Sequence, residues 1–152
     1  MKLLNDIFNK LSWTLIILLW IFSIYCYIIF PDNIPTHFNF RGEPDNYSNK
    51  ASLFILAIIG TFVFSVLSFA RKFPQHQSSN SSKHQNGQLQ LHEVFLNYLR
   101  CFIMFLFIYI IFSTHQIVIH QASGLSSWFM PILIFFIFGP TIFYLYKTIK
   151  SK

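Results

Sequence analysis

An imidazole, an amide, a guanidinium and two carboxylates occur together in residues 37–45, as His37, Asn39, Arg41, Glu43 and Asp45. They belong to a polar segment, 31–50, that holds three of the chain's five acidic residues and lies between two uninterrupted apolar stretches. One imidazole with two carboxylates is a donor set that suits zinc or a similar divalent ion, which makes His37, Glu43 and Asp45 candidate metal ligands. Spacing alone does not bring the three together, and the segment has no second histidine. The same side chains also suit a recognition surface for a peptide, a lipid headgroup or a partner protein, with His37, Asn39, Arg41 and the acidic residues as its polar face. A third reading is architectural. Pro31, Pro35, His37, Asn39, Gly42 and Asp45 then shape the loop and cap the helices, with Glu43 or Asp45 paired to Arg41 or Lys50. Exposed pairs of that kind contribute about 0 to 1 kcal/mol, so charge changes there would be mild.

Local conformation follows from the prolines and the glycine. Pro31 and Pro35 drive the residues before them toward extended backbone. Glu43-Pro44-Asp45-Asn46 has the composition of a turn, with Pro44 where a fixed φ is wanted. Residues 37–41 alternate polar and apolar, so in extended form Phe38 and Phe40 face the protein while His37, Asn39 and Arg41 face water. Gly42 permits a sharp change of backbone direction, and Ser48 is placed to cap a following helix.

The elements that must carry this segment are membrane helices. Hydrophobic residues make up 54% of the chain and charged residues only 11%, which is far from the balance of a soluble domain. Crossing hydrocarbon takes about 20 predominantly apolar residues, because a helix satisfies its own backbone groups where no water can. Residues 11–30, 51–70, roughly 99–119 and 128–146 meet that test. The first stretch is too long for a signal-peptide core and lacks an Ala-x-Ala-like site after it, so a retained anchor is expected. Cys26 and Cys101 would lie on the order of 20 Å apart at the helical rise, beyond the reach of a disulfide.

Orientation is read from lysine and arginine, which accumulate on the cytoplasmic side. Lys2, Lys10, Arg71, Lys72, Lys83, Arg100, Lys147, Lys150 and Lys152 fall on one face and only Arg41 and Lys50 on the other. The expected fold class is therefore all-α: a polytopic membrane protein with four transmembrane helices, both termini cytoplasmic, and a short structured external loop between helices 1 and 2. Residues 74–88 read as a polar, low-complexity cytoplasmic linker. Its histidines, with His92, are too loosely spaced for a metal site, and 89–100 reads as an amphipathic lead-in at the inner interface. Ala57, Thr61, Ser65 and Ser68 form a small-residue face suited to close helix packing. His115 lies in a polar group near the outer end of the third span and reads as a water-facing structural residue.

Pro31-Asp32-x-Ile34-Pro35-x-His37-Phe38-Asn39, followed by Gly42-Glu43-Pro44-Asp45 and Lys50, resembles the signature of the bacterial domain of unknown function at the N-terminal end of SdpI-like membrane proteins. The match is close over 31–50 and extends as layout over roughly 13–72. The resemblance implies an N-terminal domain at 1–72; composition and apolar length then give a linker and lead-in at 73–93 and a second helix pair with a basic tail at 94–152. It also implies immunity to a secreted antimicrobial peptide, or signalling through recruitment of a transcriptional repressor. Its motif residues here are Pro31, Pro35, His37, Asn39, Arg41, Gly42, Glu43, Asp45 and Lys50.

No His-Glu-x-x-His, Gly-x-Ser-x-Gly, phosphate-binding glycine loop or Cys-x-x-Cys occurs, and no span carries paired carboxylates. The expectation is a non-enzymatic protein of the bacterial cytoplasmic membrane, without cofactors, whose external loop is a recognition element. Its partners are the lipid bilayer and an external peptide or another membrane protein. Basic residues scattered over termini and one loop exclude a nucleic-acid surface. The alternatives are a small transporter or membrane metalloenzyme built on His37, Glu43 and Asp45, with His115 or His120 nearby, and a structural assembly subunit.

Overall fold

The computed structural model describes residues 1–71 and 83–150. Its elements are α1 (Lys2–Ile29), β1 (Asn33–Phe38), β2 (Pro44–Asn49), α2 (Ser52–Ala70), α3 (Lys83–Val118) and α4 (Phe129–Lys150). All four helices are long and apolar enough to cross a membrane, as the apolar stretches require. The polar segment between the first two is an antiparallel hairpin. The chain is thus a multi-pass membrane protein with a small β element at one end of its helices.

α1 stops where proline dictates. Phe30 adopts φ −78° and ψ 149°, the extended backbone that the ring of Pro31 imposes on its predecessor. α1 and α3 form the main helix pair, α2 packs against both, and α4 packs chiefly on α3. Leu19, Ala57, Met104 and Ile111 are fully enclosed at the centre. The small-residue face of α2 serves packing within the chain. Ala57 and Gly60 are buried, and Trp20 Nε1 donates to Thr61 Oγ1 at 3.0 Å, while Ser65 stays outside. α4 has no buried residue, and its exposed Phe and Ile side chains are the surface a bilayer would cover. Cys26 and Cys101 are buried and unbridged.

Three expectations change. α3 begins at Lys83, so residues 83–88 of the expected linker are its first turns, and the stretch 89–100 is continuous with the span. Tertiary contacts explain this: Phe95 stacks on Tyr144 of α4 at 4.3 Å, and His92 Nδ1 lies 2.9 Å from Tyr144 Oη. The rest of the linker, 74–82, and Lys72 lie outside the described residues. Arg100, counted above with the water-facing charges, is 1% exposed inside the helix bundle. His115 sits among the rings of Phe22, Tyr25 and Phe30, because its position on α3 faces the last turns of α1.

Candidate functional site

The hairpin is fastened at its base by the residue that follows it. Lys50 Nζ donates to the Phe30 carbonyl at 3.1 Å and lies 3.3 Å from Asp32 Oδ1 and 5.3 Å from the Tyr27 ring. The Lys50 backbone N–H donates to the Asp32 carbonyl at 2.9 Å. A cation here meets the carbonyl end of α1, where the helix leaves acceptors unpaired. Ile34 and Pro35 are the buried underside of β1, so these two residues, rather than Phe38 and Phe40, seat the hairpin on the helices. Phe38 is half-buried and Phe40 is 90% exposed, because the chain already reverses at 39–43.

Asn39 builds that reversal. Its Oδ1 accepts from the backbone N–H of Arg41 and of Glu43, and its Nδ2 donates to Glu43 Oε2 at 2.9 Å. The backbone closes the loop through Gly42 N–H to the Asn39 carbonyl at 2.8 Å and Asn39 N–H to the Glu43 carbonyl at 2.9 Å. Gly42 takes φ +80°, as a three-residue hairpin loop ending in a left-handed residue requires. Pro44 therefore begins β2 rather than sitting in the turn. Ser48 accepts from Thr36 Oγ1 across the strands rather than capping α2, which has no side-chain cap; Asn49 Oδ1 accepts from Ala51 N–H at 2.9 Å in the turn that leads into the helix.

The tip is held by the loop between α3 and α4. Leu125 N–H donates to the Gly42 carbonyl at 2.7 Å. Gly42 and Gly124 face each other so closely that a Cβ on either would meet the opposing backbone. The sequence carries no periodic signal for this contact; only the glycine in each loop hints at close approach.

Pairing is irregular at Pro35/His37 and at His37/Phe38, and the irregularities aim His37 at Asp45, with Nδ1 2.5 Å from Oδ1. Glu43 is engaged with Asn39 instead. The three candidate metal ligands thus divide between two separate contacts, and no group of three or more His, Cys, Asp or Glu converges among the described residues. His115 is half-buried beside aromatic rings, and His120 follows the end of α3 in a left-handed conformation with φ 59°, so neither joins them. The local acid pairing expected for the loop is present with different partners: His37 for Asp45, Asn39 for Glu43 and Lys50 for Asp32. Both members of the His37–Asp45 pair are well exposed. Asp45→Asn should cost no more than about 1 kcal/mol in thermal unfolding of the detergent-solubilised protein, and a larger loss would mean that this pair holds the hairpin.

Beneath the hairpin, between β1, the first turns of α2, α3 and the start of α4, lies a cleft of about 470 Å³, a size that takes a small molecule or a few side chains. Ile34, Phe38, Leu53, Leu56, Ile110 and Phe129 give it apolar walls, and His37, Ser52 and Thr114 supply polar groups. The Ser52 hydroxyl is buried without a hydrogen-bond partner, an arrangement that costs about 1–3 kcal/mol relative to a satisfied group. Arg41 is exposed at the tip and engages Asn39 only through its backbone N–H. Ser52, Thr114, Gly124 and Leu125 come from segments that sequence reasoning treated as scaffold.

The geometry can be set beside known proteins. Residues 14–61 match the family model described as Domain of unknown function (DUF1648). That range covers most of α1, the whole hairpin and the first half of α2. The chain is also similar to an uncharacterized protein of Archaeoglobus fulgidus, 36% identical over 50 residues. The similarity covers 33% of this chain and 27% of that protein. No solved structure matches. The matched region ends before α3 and the α3–α4 loop, which close the cleft.

Proposed function

We propose that this chain is a non-enzymatic receptor of the bacterial cytoplasmic membrane, similar to SdpI-like immunity or sensory proteins, and that the cleft beneath its hairpin takes an amphipathic segment of a secreted, membrane-active peptide. The observation that carries this reading is the cleft's mixed lining, apolar walls with a few polar groups among which the Ser52 hydroxyl is buried and unpartnered. A buried hydroxyl without a partner is a standing cost that a ligand's polar group would remove. Lys2, Lys10, Arg71, Lys147 and Lys150 lie at one end of the helices, and Arg41 and Lys50 at the other; the positive-inside rule therefore favours cytoplasmic termini and an external hairpin. On this reading Pro31, Pro35, Asn39, Gly42 and Lys50 build the hairpin, Glu43 and Asp45 hold Asn39 and His37, and His37 and Arg41 meet the ligand.

The test uses a panel of fluorescently labelled membrane-active peptides titrated onto the protein in nanodiscs, alongside survival of cells with and without the gene. At least one peptide should bind and should kill deleted cells more readily. Ser52→Ala should weaken binding about five- to tenfold, equivalent to roughly 1 to 1.4 kcal/mol, while leaving thermal stability unchanged or raised, since it removes an unsatisfied hydroxyl. Leu56→Trp, which fills the cleft, should abolish protection. If no peptide binds and survival is equal across the panel, the receptor reading fails.

A further inference from the structure

At the opposite end of the helices the chain holds two arginines that make no ion pair among the described residues. Arg100 is 1% exposed. Its Nη2 donates to Ser12 Oγ at 2.5 Å and to Asn9 Oδ1 at 3.3 Å, its guanidinium lies 4.2 Å from the centre of the Phe64 ring, and its Nε is buried with no acceptor. Arg71, half-buried just past the last residue of α2, donates to the same Asn9 Oδ1 at 3.0 Å and to Asn97 Oδ1 at 3.4 Å. Two guanidinium groups therefore share one neutral oxygen. Like charges held this close repel, and a buried charge normally requires an opposite one.

Among the described residues the side-chain carboxylates do not pair with either arginine. Asp32, Glu43 and Asp45 belong to the hairpin at the other end. Glu93 accepts from Asn5 Nδ2 at 3.1 Å, and Asp6 is exposed. Neither Arg71 nor Arg100 makes an ion pair among the described residues. Arg71 immediately follows the membrane-spanning part of α2, which puts the pair at headgroup depth, where a long cationic side chain reaches toward polar surroundings.

We infer that Arg71 and Arg100, framed by Asn9 and Asn97 between α1, α2 and α3, form a binding site for a phosphate-class oxyanion. Arg71 at the mouth contacts the anion directly. Arg100 beneath it supplies positive potential in a water-poor setting, where charge acts more strongly than at the surface. The anion is either the phosphodiester of an anionic lipid or free phosphate, since a guanidinium fork suits both. This inference is independent of the peptide-binding reading.

The experiment measures thermal unfolding of the full-length protein in detergent with added inorganic phosphate, and in bilayers of phosphatidylcholine with and without phosphatidylglycerol. Native mass spectrometry of the wild type records bound lipid. Stabilisation by phosphatidylglycerol with retained lipid adducts assigns the headgroup, and stabilisation by inorganic phosphate assigns the free ion. Arg71→Gln should reduce the response at least fivefold in ligand concentration, and Arg100→Gln should do the same if it folds. Lys147→Gln, a basic residue near the same end but outside the cluster, should leave it unchanged. No response to either anion, a response equal in phosphatidylcholine alone, an unchanged response in Arg71→Gln, or an equal loss in Lys147→Gln would each overturn the site.

Discussion

Gly42→Ala is expected to destabilise the folded protein by about 2–5 kcal/mol. Part is backbone strain, since φ +80° is the left-handed region that costs an L-residue about 1–2 kcal/mol. The rest is collision. A Cβ at this position would lie 2.7 Å from the Leu125 carbonyl oxygen and 3.1 Å from the Leu125 Cβ, and overpacking against backbone that cannot rotate away costs about 1–3 kcal/mol. Gly124→Ala should cost about 1–3 kcal/mol by the same overpacking, because its Cβ would overlap the Gly42 carbonyl oxygen. Both substitutions break one contact, the Leu125 N–H to Gly42 carbonyl bond. The double variant should therefore lose clearly less than the sum of the singles. Thermal unfolding in micelles measures all three. Strict additivity would mean that the hairpin tip and the α3–α4 loop behave as separate units, and that the cleft has no fixed roof.

Lys50→Met should cost about 2–4 kcal/mol, and the terms differ enough to say why. The charged hydrogen bond to the Phe30 carbonyl is worth about 1.5–3 kcal/mol. The ring of Tyr27 adds about 0.5–1 kcal/mol as a cation–π contact. The ion pair with Asp32 contributes about 0–1 kcal/mol and belongs at the low end, because the Asp32 side chain is 89% exposed. Asp32→Asn should consequently be nearly silent, and raising the salt concentration should shift the midpoint little. Unfolding of the two variants side by side decides it. Equal losses would mean that the ion pair, rather than the carbonyl bond, secures the base of the hairpin.

These two sites show why a loop motif was legible in the sequence while its purpose was open. Pro31 predicted the end of α1, and Gly42 the change of direction, because each depends on the torsion angles of one or two residues. The turn expected at residues 43–46 formed instead at 39–43, since the Asn39 side chain offers the backbone two hydrogen bonds that Pro44 cannot supply. Of the two aromatics expected to face inward, Phe38 lines the cleft, while Phe40 falls in the reversal at 39–43 and is exposed. Convergence of His37, Glu43 and Asp45 was a matter of chemical type without geometry; the register gave Asp45 to His37 and left Glu43 to Asn39.

Arg100 illustrates the same limit from the other side. One charge near the start of an apolar run reads as an interfacial residue, and no local pattern reveals that Asn9 and Ser12 accept from it. Both partners lie on α1, with Asn9 about 90 positions away in the chain, a separation over which no periodicity operates.

By itself, the amino-acid order determined four helices, their approximate spans and the polar segment between the first two, since hydrocarbon leaves a backbone few ways to satisfy its hydrogen bonds. Only the tertiary structure decided that the α3–α4 loop grips the hairpin, that a cleft with an unsatisfied hydroxyl lies beneath it, and that two arginines face one amide oxygen. Each of these joins groups far apart along the chain, and such meetings are set by how whole helices pack.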